Sequence, residues 1–114
     1  MSLPSPLKVV AVGHSFVRRL NEYFDSTLDV NRNLGLDQDK YNVSCLGFGG
    51  LSLKQSKRLH SLDKVVEGSD LVVIDIGSND LCEEYCCPRK FARDLYSYTM
   101  FLQEGLRVKT VVIC

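Results

Sequence analysis

Lys8-Val9-Val10-Ala11-Val12-Gly13-His14-Ser15-Phe16-Val17-Arg18-Arg19-Leu20 is the stretch on which the reading of the fold turns. Its first five residues form an apolar run without alternation, which predicts a short strand, Lys8–Val12, buried on both faces of a parallel sheet. A small residue and a serine follow, and Ser15 opens a helix marked by Phe16, Leu20 and Tyr23-Phe24 at a 3.6-residue rhythm. A strand that ends in this way exposes a hydroxyl at the carboxyl end of a sheet, where ligands of open α/β sheets bind.

The same grammar repeats downstream. Residues 25–40 are rich in Asn, Asp and Gly and predict a long surface connection. Tyr41–Leu46 is a second strand, closed by Gly47-Phe48-Gly49-Gly50. Ser52–Val66 predicts a helix with Leu59, Leu62 and Val66 on one face, ended by Gly68. Leu71–Ile76 is a third strand, apolar except for Asp75, and Gly77-Ser78-Asn79-Asp80 follows it. Pro88 suits the first position of another helix, striped by Phe91, Leu95, Tyr98 and Leu102 and stopped at Gly105. Val108–Ile113 is a fourth strand. Alternating strands and helices predict an α/β domain with a parallel sheet. Residues 1–7 are expected to be a flexible N-terminus and 8–114 a single domain. Its last strand, running into Val111-Val112-Ile113-Cys114, is expected to lack a covering helix, as in a domain cut at its C-terminal side.

Composition narrows the function classes. The apolar share of 45% and the charged share of 25% are those of a globular domain. Fourteen basic residues balance fourteen acidic ones, which argues against a nucleic-acid surface. The basic run Lys54-Gln55-Ser56-Lys57-Arg58 reads as a solvated helix face. No apolar stretch approaches the roughly 20 residues of a spanning helix, and Met1-Ser2-Leu3-Pro4-Ser5-Pro6 lacks the basic start of a signal peptide. The expected location is therefore the cytoplasm. Cys82, Cys86 and Cys87 cluster without the fourth ligand and spacing of a zinc site, so they read as idle or buried thiols. No metal and no organic cofactor is expected, and oligomeric state is not legible.

The three polar turns suit acyl transfer, which needs a nucleophile, a base for its proton and donors for the oxyanion. Ser15 is placed as nucleophile, with its own amide at a helix start. Gly50 offers a second backbone donor and close substrate approach, and the Asn79 amide a third. Gly47 and Gly49 are read as turn-formers, and Asp80 as a helix cap or loop hydrogen-bond acceptor. Asp75 is expected to pair with a neighbouring turn or with Arg18.

Together these blocks resemble the SGNH (GDSL-type) hydrolase family. Gly13-His14-Ser15 is similar to its Gly-Asp-Ser motif. Gly47-Phe48-Gly49-Gly50-Leu51-Ser52 is similar to its glycine block, with Gly50 at the oxyanion glycine. Gly77-Ser78-Asn79-Asp80 is close to Gly-x-Asn-Asp, the most specific of the three. The resemblance runs from Val9 to the end. It implies a flavodoxin-like three-layer α/β/α fold, of which four strands are present and the C-terminal strand and helix are missing. It also implies a serine esterase that cleaves an acyl ester, small or carried by a carbohydrate or lipid, through an acyl-serine intermediate.

Two positions depart from the family. His14 stands where the family has aspartate, and no Asp-x-x-His block supplies the base. Neither histidine is expected to replace it. His14 neighbours Ser15 and should point to the opposite side. His60 falls about eight residues along its helix, roughly 12 Å from the sheet edge. The base is thus expected from sequence beyond Cys114. The alternative is a non-catalytic binding or interaction module of the same fold. A phosphate-binding receiver fits less well, because no Gly-rich phosphate loop follows the first strand.

Overall fold

The computed structural model describes residues 5–14, 17–20, 22, 37, 39–48, 51–54, 56–81 and 87–114, without the side chains of residues 56, 78 and 79. Four parallel strands form one sheet: β1 (Leu7–Gly13), β2 (Tyr41–Gly47), β3 (Leu71–Asp75) and β4 (Thr110–Ile113). Their order is β2-β1-β3-β4. The chain therefore leaves β1 to one side to make β2 and returns past it to make β3. That reversal beside β1 is the topological switch point of a doubly wound sheet.

Between the strands lie helices α1 (Ser56–His60), α2 (Asp63–Val66), α3 (Ser78–Leu81) and α4 (Pro88–Met100). Residues 17–20 are helical as well, and the Arg18 amide donates to the His14 carbonyl at 3.2 Å. Pro88 starts α4 as expected, next to an extended Cys87. The helix then widens into a π turn over Phe101–Gly105, closed by the Leu106 amide on the Phe101 carbonyl. Its stripe of Phe91, Leu95 and Tyr98 is half-buried, and Leu102 is fully buried.

Among the described residues, the main core cluster sits on one face of the sheet. Val10 and Val12 of β1 and Val72 and Ile74 of β3 point to it. Leu59 of α1, Leu62, Val66 of α2, and Leu102 and Leu106 pack over them. Val9, Ala11 and Val73, which alternate with these residues, are half-buried, so β1 is less symmetrically covered than its unbroken apolar run predicts. The β4 edge remains open to solvent at Val112 and Ile113.

The helix expected over Ser52–Val66 is two short helices. Leu51 and Ser52 are buried in the connection after β2, which is held by tertiary hydrogen bonds rather than by a helical turn. Ser61 interrupts the next stretch: its hydroxyl donates to the Arg58 carbonyl at 2.6 Å, and the Leu62 amide bonds Leu59, three residues back. A serine hydroxyl competing for helix carbonyls weakens the helix there. The fourth strand begins at Thr110 rather than Val108, because Val108 is buried at the end of the π turn with its amide on Leu102.

Candidate active site

The carboxyl ends of β2, β1 and β3 lie side by side. Gly13 is in register with Gly47 on one side and with Asp75 on the other. The ladder continues one residue past each strand: the Phe48 amide donates to the Gly13 carbonyl at 3.0 Å, and the His14 amide to the Asp75 carbonyl at 3.3 Å. Three chain exits are thereby tied together at one sheet edge. They lead directly into Ser15, Gly49-Gly50 and Ser78-Asn79-Asp80.

Of the expected site residues, Ser15 and Gly50 lie outside the described residues, as do Gly49, Cys82 and Cys86. Asn79 is placed by its backbone in α3, whose Leu81 amide closes on Gly77 at 2.8 Å. Gly77 precedes α3 with φ of 139°, a conformation that side chains rarely adopt, and a Cβ there would also press on the Phe91 ring at 3.1 Å. The motif glycine is therefore required by both backbone and packing.

Gly47 does not form a turn, contrary to its sequence reading. It is the last residue of β2, and a Cβ on it would strike the Arg18 backbone nitrogen and come within 2.6 Å of the Val17 carbonyl carbon. Its role is close approach: the helical residues 17–20 rest on this strand.

Asp80 is a hydrogen-bond acceptor, as expected, and a long-range one. Its carboxylate is 5% exposed, and its Oδ1 accepts the Leu53 amide at 3.0 Å. The segment after β2 is thereby bound to α3. Asp75 pairs with the neighbouring turn rather than with Arg18: its Oδ1 lies 3.5 Å from Nε2 of His14. Arg18 instead faces Glu22 at 3.6 Å, on an exposed surface.

The second histidine has other business. Nδ1 of His60 meets Asp63 Oδ2 at 3.1 Å, and its ring stands edge-on to Phe101 with centroids 5.1 Å apart. It lines a cleft of about 320 Å³ with Leu53, Leu59, Asp94, Ser97, Tyr98 and Phe101. Burial first, and the charge of Asp63 second, push the Tyr98 hydroxyl up to about 12. No sequence signal marked this cleft, because it forms only where α1 crosses the end of α4. The basic run is exposed at Lys57 and Arg58, yet the Arg58 guanidinium lies 5.6 Å from the centre of the Phe48 ring.

Cys45, Cys87 and Cys114 are free thiols, and burial raises the Cys45 pKa above its ordinary value. Among the described residues no three His, Cys, Asp or Glu side chains are grouped to hold a metal. No helix among them is long and apolar enough to cross a membrane.

A parallel sheet of order β2-β1-β3-β4, with its switch point between β1 and β3, defines an open α/β protein. The chain belongs to the family of GDSL-like lipases and acylhydrolases, whose model matches residues 10–107. Solved structures agree on the fold. Axe2, an acetylxylan esterase from Geobacillus stearothermophilus, matches with a TM-score of 0.61 at 17% identity, over 99% of this chain and 61% of its own. The acetyl xylan esterase AlAXEase matches with a TM-score of 0.62 at 19% identity, over 95% of this chain and 57% of its own. The chain thus spans 61% and 57% of the lengths of these two structures. No curated protein sequence matches it.

Proposed function

We propose that this chain carries the nucleophile and oxyanion donors of a serine esterase acting on an acylated carbohydrate. Ser15 Oγ attacks the acyl carbon while the Ser15 and Gly50 amides and the Asn79 side chain receive the developing oxyanion. The ester C–O bond then breaks, and the alcohol leaves with the proton that the base took from Ser15. Water hydrolyses the acyl-serine by the same route in reverse. The observation that carries this reading is the β2-β1-β3 order, with exits tied through Phe48–Gly13 and His14–Asp75, because it supports convergence of all three motif segments on one edge.

The carbohydrate ester is favoured over a lipid ester by the acetylxylan esterases that share the fold. Catalytic mutants of Axe2 replace a serine, an aspartate and a histidine, the last two in Asp-x-x-His spacing. On this reading the base comes from an Asp-x-x-His block outside the 114 residues, and the free thiols suit a reducing cytoplasmic setting.

The test is hydrolysis of p-nitrophenyl acetate and of acetylated xylooligosaccharides by the full protein, with and without Ser15→Ala. The substitution is expected to lower kcat by about 10³-fold or more. Undiminished hydrolysis by Ser15→Ala would overturn the assignment. Ligand binding without fluorophosphonate labelling of Ser15 would instead identify a non-catalytic module.

A further inference from the structure

We infer that Asp80 is a positioning residue that holds α3, the turn that carries the oxyanion donor Asn79, against the segment that follows the glycine block. The inference rests on the esterase reading above and adds a role to a residue which that mechanism does not use. Asp80 directly follows Asn79 on the single turn of α3, so a constraint on one is a constraint on the other. Its Oδ1 accepts the Leu53 amide at 3.0 Å, and Leu53 lies three residues after Gly50.

Between these points the chain has little freedom. Leu51 is fully buried with its amide on the Phe48 carbonyl at 3.2 Å, and Ser52 is 6% exposed. Phe48, before the glycines, has its amide on the Gly13 carbonyl, and Leu53, after them, has its amide on Asp80. That tie joins α3 to a segment 27 residues earlier in the chain. Apolar packing fixes direction poorly, whereas a hydrogen bond to a carboxylate oxygen is directional.

Oxyanion stabilisation is sensitive to donor placement, and a displacement of about 1 Å is worth about 10²-fold in rate. A positioning role also predicts which replacements work. Asp80→Asn keeps an acceptor oxygen in the same place and removes the charge. Asp80→Glu keeps the charge and moves the acceptor by one methylene. The two variants separate position from charge.

The experiment measures Ser15 labelling by a fluorophosphonate probe, kcat and KM on p-nitrophenyl acetate, and hydrogen exchange of the Leu53 amide, all in the full protein. For Asp80→Asn we expect kcat within about 3-fold of wild type and a protected Leu53 amide. For Asp80→Glu and Asp80→Ala we expect kcat lower by about 10- to 100-fold at nearly unchanged KM, with Leu53 exchange at least about 10-fold faster. The positioning role is overturned if Asp80→Asn loses as much kcat as Asp80→Glu, or if Leu53 exchange rises without loss of kcat. It is also overturned if Asp80→Glu leaves both unchanged. Failure of the wild-type protein to label or hydrolyse would instead refute the esterase reading, and Leu53 exchange would still report whether the tie exists.

Discussion

Replacing Gly47 by alanine tests how tightly the helical residues 17–20 are seated on the sheet. The three atoms nearest the new Cβ are all backbone of Val17 and Arg18, with the Arg18 Cα at 2.5 Å. The Arg18 nitrogen is nearer still, so to restore a contact of about 3.4 Å the helical residues must withdraw by more than about 1 Å. Overpacking costs about 1–3 kcal/mol, and the upper end applies here because backbone is less able to give way than a rotamer. Val17 is 5% exposed and packs beside Gly13, so a shift of the helical residues also disturbs their contact with β1. The expected loss is about 3 kcal/mol in urea unfolding, read as a lower midpoint at unchanged slope.

The same shift acts on the nucleophile, since Val17 and Arg18 stand two and three residues after Ser15. A displacement near 1 Å at the reacting group lowers the rate by about 10²-fold. Gly47→Ala in the full protein is therefore expected to lose kcat far more than KM, with Ser15 labelling slowed in parallel. A stability change below about 0.5 kcal/mol together with wild-type kcat would refute the reasoning, because it would mean the strand and helix are free to separate at no cost.

Two further outcomes are expected. His14→Asp would set two carboxylates against each other at a spacing now bridged by a 3.5 Å histidine–aspartate contact, costing about 1–2 kcal/mol. Adding Asp75→Asn should recover most of it, and a double-mutant cycle in urea with no coupling would show that the two side chains act independently. The Asp70 carboxyl is held below its ordinary pKa of 3.8, chiefly by the Lys8 amide at 2.7 Å and then by the Lys109 ammonium at 2.9 Å. A depressed carboxylate stabilises the fold above its unfolded pKa, and that stabilisation is lost as pH falls through the folded value. The thermal midpoint of the wild type should thus fall more steeply than that of Asp70→Asn as pH drops below about 4; parallel curves would exclude Asp70 as a contributor.

Strand positions were legible because burial imprints itself on consecutive residues. Val9–Val12 and Leu71–Ile74 are apolar runs bounded by glycine and acidic residues, and both are strands within a residue or two of their expected ends. Pro88 and Gly105 likewise bracket the last helical stretch, since proline suits a helix start and glycine a helix end. The second helix was misread because its apolar rhythm is real: Leu59, Leu62 and Val66 all face the core. Periodicity reports the buried face, and it is blind to a hydroxyl such as Ser61 that takes a carbonyl away from the ladder. Gly47 failed for a related reason, in that a glycine needed for close approach and a glycine needed for a turn look alike in a sequence.

The site divides along the same line. Its motifs sit in the segments after β1, β2 and β3, and each is a local string whose residue types state their chemistry. What joins the strings is register and crossing, which no local string contains. His14 departs from its family's aspartate, and Asp75 interrupts an apolar strand; taken singly, each is an oddity. Register puts Gly13 beside Asp75, so the residue after Gly13 meets the Asp75 carboxylate, and the two oddities become one contact. A histidine at position 14 suits a carboxylate at position 75, whereas the family's aspartate would repel it. The same holds for Asp80 and Leu53, which are 27 residues apart and share one hydrogen bond. The substitution at position 14 therefore need not bear on catalysis at all. It answers a neighbour across the sheet, at the residue where β1 leaves for Ser15.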